Sequence, residues 1–79
     1  MAKDDPLNIE FEERAKNLLK SELKRRGITY AELAQKLQVR GVSENERNLT
    51  NKISRGSFTT AFFLLCMDTI GASALSLEI

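Results

Sequence analysis

The stretch TYAELAQKLQVRGVSENERNLTNKISRG, residues 29–56, holds two helix starts, two helix stops and the connection between them. Thr29 followed three residues on by Glu32 is a capping box, and Ile28 with Leu33 fits the hydrophobic staple that accompanies one. A helix is predicted from Tyr30 to about Leu37 or Gln38, with Leu33, Ala34 and Leu37 as its inner stripe. QVRGV then makes a short connection in which Gly41 can take a positive φ. Ser43 and Glu46 repeat the capping-box spacing, so a next helix is predicted over Glu44 to Arg55, with Val42 as an anchor before it and Gly56 as its stop. Leu49 and Ile53 define its buried side. At about 100° per residue the opposite side carries Glu44, Arg47, Asn48, Asn51, Ser54 and Arg55.

Upstream, Phe11, Ala15, Leu18, Leu19 and Leu23 recur at helical spacing, predicting an amphipathic helix from about Asn8 to Arg26. Glu10, Glu12 and Glu13 sit in its first turns and Lys24, Arg25 and Arg26 in its last, the order that the helix macrodipole favours. Downstream, Thr59 is the expected N-cap of a fourth helix, Phe58 and Phe63 its staple and Gly71 its stop. Only Thr60, Asp68 and Thr69 are polar within it, so it belongs at the centre of the core or against a partner. In the closing segment, 72–79, Leu75, Leu77 and Ile79 alternate, which suits a short extended piece, a last helical turn or a loose end. Residues 1–7 are expected to be disordered.

A chain of 79 residues with 42% hydrophobic and 29% charged residues bounds the answer to one globular domain with one modest core, spanning 1–79. The longest apolar run, AFFLLCM at 61–67, is far short of the roughly 20 residues that span a bilayer, so no membrane span is expected. The acidic N-terminus lacks the basic-then-apolar pattern of a secretory signal, which makes the cytoplasm the expected location. Cys66 is the single cysteine and reads as a small buried hydrophobe. With one cysteine and no histidine, a Cys-rich metal cluster is impossible, the commonest metal ligand is missing and no Ser-His or Cys-His nucleophile is available, so no metal, cofactor or enzymatic activity is expected.

Charge distribution is more informative than net charge, which is only +1. Between Arg14 and Gly56 eleven basic residues face four acids, a local +7, while the other acids gather toward the two ends. On the third helix, Arg pairs with guanine and Asn with adenine in a major groove, so Arg47, Asn48, Asn51, Ser54 and Arg55 are the base-facing candidates. Lys36, Arg40 and Lys52 lie nearby as phosphate candidates. A solvated helix face carries the same residue types. Asn48 and Asn51, however, are mediocre helix formers where Lys, Glu or Ala would serve stability better.

TYAELAQKL, a turn and a helix ending NKISRG resemble the repressor-like helix-turn-helix domains, with a connection about three residues longer than their usual tight turn. A resemblance over almost the whole chain is to short bacterial proteins of a domain family of unknown function, which share patterns like AKNLLKSELKRRGITYAELAQKL, ERNLTNKISRG and FFLLC. Together they imply an all-α, compact four- to five-helix domain of lambda-repressor-like helix-turn-helix type, with an extended turn between helices two and three. The expected partner is double-stranded DNA, read by the helix over 44–55. The alternative is a protein-interaction module on the same fold. In either case Phe63, Leu64 and Met67 of helix four are candidates for a homodimer interface.

Overall fold

The computed structural model describes residues 5–75, in which four helices and no strand occur: α1 (Pro6–Arg25), α2 (Tyr30–Val39), α3 (Glu46–Arg55) and α4 (Thr60–Thr69). α1 opens at Pro6, two residues before the expected Asn8, because a proline in the first turn gives up an N–H that would be unpaired there anyway. Of residues 1–7, expected to be disordered, Pro6 and Leu7 are therefore helical and 1–4 lie outside the described residues. In the closing segment Ala72–Leu75 adopt no regular element, and 76–79 lie outside the described residues.

The helices pack as a circuit, α1 against α3 and α4, and α2 against the same two. Leu19, Leu23, Leu33, Ala34, Leu37, Leu49, Ile53, Cys66, Met67 and Ile70 form one buried cluster at its centre. Each fully buried aliphatic side chain contributes about 1.5–3 kcal/mol. α4 turns Cys66 and Met67 into the core, with Phe62, Phe63 and Leu65 packed on the cluster and Leu64 left exposed. Met67 is thus core and unavailable to a partner, a correction to its place among the interface candidates. Inside this apolar surround, burial pushes the Cys66 thiol up to about 12.

The helix ends follow local chemistry. The Glu32 N–H donates to Thr29 Oγ1 at 3.1 Å and the Thr29 N–H to Glu32 Oε1 at 3.0 Å, completing the capping box of α2. At its far end Val42 N–H donates to the Leu37 carbonyl and Gly41 N–H to that of Gln38, the paired bonds of a Schellman motif, with Gly41 at φ +88°. The same bond pattern closes α1 and α4. α4 starts as expected, its Phe62 N–H donating to Thr59 Oγ1 and Phe58 stacking on Phe63 with ring centroids 6.1 Å apart. At the end of α1, Arg26 and Arg25 both pair with Glu22 and hold its carboxyl below the usual carboxylate range, so two of the three cations of KRR serve the fold.

Helix α3 departs from expectation at its start. The Ser43–Glu46 capping box does not form; Asn45 is the N-cap, its Oδ1 accepting from the Asn48 N–H at 2.8 Å. Asn is as good an N-cap as Ser, and starting two residues later frees Glu44 to turn inward, where it meets Lys52. The end of α3 is fixed by contact. Gly56 is buried at φ +68°, and a Cβ there would lie 2.6 Å from the carbonyl oxygen of Glu12 in α1. Only a residue without a side chain lets the two backbones meet.

Gly56→Ala therefore combines a left-handed backbone penalty with a clash against α1 and is expected to cost about 2–4 kcal/mol in urea unfolding. Gly41→Ala meets open space and should cost only the backbone penalty, about 1–2 kcal/mol. Equal losses would contradict the close approach. For the start of α3, Asn45→Ala should cost about 1 kcal/mol and Ser43→Ala close to none; the reverse order would restore the Ser43 cap.

Candidate nucleic-acid interface

Leu49 and Ile53, both fully buried, turn one side of α3 to the core, and the opposite side faces solvent along its whole length. Arg47, Asn48, Asn51, Ser54 and Arg55 are all exposed on that side, as the helical spacing predicts. Asn51 lies opposite the midpoint of Leu49 and Ile53, with the others within about 60° of it around the helix. The side-chain amides of Asn48 and Asn51 and the guanidinium of Arg47 bond to nothing among the described residues, so their donors and acceptors are free for a ligand. Arg55 donates its Nε to the Asn51 carbonyl at 3.2 Å, which lays the side chain back along the helix. The Ser54 hydroxyl donates to the Thr50 carbonyl and points along the helix wall. Between Asn51, Ser54 and Arg55 lies a shallow open depression.

Glu44, counted on this face from helical spacing, is absent from it. Its side chain is only 7% exposed, and Oε2 accepts from Lys52 Nζ at 2.6 Å while Oε1 is buried with no partner among the described residues. That correction follows from the later start of α3, since Glu44 precedes the helix and does not obey its periodicity. The consequence is electrostatic. The exposed set retains two cations, Arg47 and Arg55, and loses the one acid that spacing had placed among them.

The phosphate candidates divide. Lys36 is exposed in the last turn of α2, makes no salt bridge or hydrogen bond to a described residue, and acts on Glu32 one turn before it only through its charge. Arg40 Nη1 donates to Asp68 Oδ2 and to Thr69 Oγ1, both at 2.9 Å, pinning the α2–α3 connection to the end of α4. Lys52 is committed to Glu44 and lies 4.8 Å from the centre of the Phe62 ring, a cation–π contact to α4. The connection itself runs Arg40–Asn45, the extended turn expected between the two helices, and the Gln38 side-chain amide braces it by donating to the Glu44 carbonyl. Sequence spacing alone misses these three braces. Their partners lie six to 29 residues apart, beyond any helical period.

Of the helix-four candidates, Met67 is core, Phe63 is half-buried against Phe58, and Leu64 is 58% exposed. Phe63 lines an apolar groove of about 310 Å³ between α1 and α4, with Phe11, Leu18, Phe58 and Leu75 as its other large apolar walls. No helix of the described residues is long and apolar enough to cross a membrane.

No curated protein and no solved structure matches the chain. The model of one family does, over residues 11–75, from the second turn of α1 to the last described residue. The match takes in all of α2, α3 and α4 and with them every residue of the exposed face. The chain belongs to the family described as Domain of unknown function (DUF6471).

Proposed function

We propose that the chain is a small DNA-binding, transcription-regulatory module of helix-turn-helix type, with α3 as the recognition helix in the major groove and α2 supporting it across the backbone. The observation that carries this reading is the exposed face of α3: two Asn amides and two Arg side chains on one side, opposite Leu49 and Ile53, with Glu44 turned inward and Glu46 in the first turn. Arg47 and Arg55 suit guanine edges, Asn48 and Asn51 suit adenine edges, and Lys36 at the end of α2 suits a flanking phosphate. Arg40 and Lys52 act as braces in this scheme: they hold the connection and α3 in place, so their charges serve orientation before contact.

The α1–α4 groove favours a second reading, a protein-interaction module in which Phe63 and Leu64 meet a partner, as a homodimer through helix four or with another chain, and α3 is solvated. Duplex binding separates the two. Titrating the protein with duplex at about 50 and 200 mM salt should show binding that weakens as salt rises, with Lys36→Ala lowering the slope of log affinity against log salt by about one. On a selected site, Arg47→Ala and Asn51→Ala should each cost about 1–3 kcal/mol of binding with the melting temperature nearly unchanged. Absence of binding at low salt, or affinities indifferent to both α3 substitutions, would reject the DNA reading.

A further inference from the structure

We propose that the chain forms a two-fold homodimer in which α1 lies antiparallel against α1 of a second copy, with the axis passing by Asn17. The side of α1 facing away from the core is a ridge of exposed residues, Glu10, Glu13, Asn17, Lys20, Ser21 and Lys24. Its acids stand before Asn17 and its bases after, at matched spacing: Glu10 and Lys24 are seven residues either side, Glu13 and Ser21 four, with Lys20 beside Ser21. Reversing one copy about Asn17 therefore sets Glu10 and Glu13 of each against Lys24 and Lys20 of the other. Glu10, Lys20 and Lys24 make no ion pair among the described residues, and Glu13 pairs only with Lys16 of its own helix.

Apolar shape adds to charge. Beside Lys20 and Lys24 runs an open groove of about 470 Å³ walled by Leu23, Ile28 and Tyr30. Ile9, 52% exposed, lies on the same flank of the ridge as Lys20, about 20° from it around the helix. An antiparallel two-fold pairing brings like flanks together, so Ile9 of each copy meets the Lys24, Ile28 and Tyr30 end of the other's groove. It cannot reach the groove of its own chain, because α1 is a continuous helix about 30 Å long and its two halves are held apart. Macrodipole preference explains acid-first, base-last order within one copy; it asks for neither an exposed Ile9 nor a groove at the other end. Arg14 lies on the opposite flank, over the Phe11 ring, and is clear of Lys20 of the second copy. Exposed ion pairs are individually weak, so the dimer is a weak and salt-sensitive one.

The test is sedimentation equilibrium of the full chain in low salt up to about 1 mM protein, where the mass should rise from 8.9 kDa toward twice that and fall back on adding salt. Lys20→Glu with Lys24→Glu makes the ridge all acidic, and Glu10→Lys with Glu13→Lys makes it all basic. Each double variant should be monomeric alone, with unchanged helicity, and the two mixed should dimerise. Asn17→Cys, which alters no charge, should cross-link to itself under mild oxidation, the buried Cys66 remaining unreactive. A wild type that stays monomeric at about 1 mM overturns the proposal, as does a mixture that does not associate. Cross-linking through Leu64→Cys in place of Asn17→Cys would put the second copy on α4 and overturn it equally.

Discussion

Everything exposed on α3 is set by what Leu49 and Ile53 bury. The two side chains sit one helical turn apart with no solvent exposure, and α3 has no other fully buried apolar residue. A helix anchored by one narrow seam can roll about its axis, and the rest of the structure prevents that. The Gly56 backbone lies against the carbonyl of Glu12, Lys52 is held by Glu44 on one side and Phe62 on another, and the connection before α3 is tied to both α2 and α4. None of these contacts is made by Leu49 or Ile53, so they bear chiefly on the angle at which the polar side is presented. For a surface whose proposed work is to align several side chains with a rigid partner, that angle matters more than total stability.

The Glu44–Lys52 pair has a cost that clarifies its role. Taking a carboxylate out of water is unfavourable, and only one of its two oxygens finds a partner. A pair of apolar residues of similar size would hold the α3 start at least as firmly. What the ion pair does differently is electrostatic: it removes one acid from the neighbourhood of Arg47 and Arg55 and neutralises one base whose ammonium would otherwise be loose on a long stem. The charge left on the outer side of α3 resides on guanidinium groups, whose planar donors recognise one orientation of an acceptor pair where an ammonium recognises any.

Much of the architecture could be read from the residues because it is governed by interactions short in sequence. The Thr29–Glu32 box, the Thr59 cap, the Phe58–Phe63 staple and the glycine stops all operate within about six residues and came through as spaced. Ser43 against Asn45 was a contest between two good caps within three residues, and local chemistry has no means to choose; with Asn45 as the cap, Glu44 is left before the helix and meets Lys52, eight residues on. The same holds for Arg40, whose partners on α4 are 28 and 29 residues away, and for Met67, whose burial depends on how α1 and α2 pack against α4. Spacing locates the exposed side of α3 because it lies opposite Leu49 and Ile53, whatever fixes the angle at which it is presented. It misassigned Glu44 because that residue lies just outside the helix where the spacing rule applies.

A single α3 is ten residues, about 15 Å, and can touch only a few base pairs. Two-fold pairing through α1 has a geometric consequence for such a short reader. α3 rests on the core side of α1, where Gly56 meets Glu12, and the proposed dimer face is the opposite side of the same helix. The order across the dimer would then be α3, α1, α1 and α3, three helix spacings of about 8–10 Å each, which puts the two α3 axes about 24–30 Å apart before their outward side chains are added. Successive major grooves on one side of a duplex are about 34–36 Å apart. α1 would then act as the ruler between two readers, its buried side fixing the tilt of each α3 and its charged side fixing their separation.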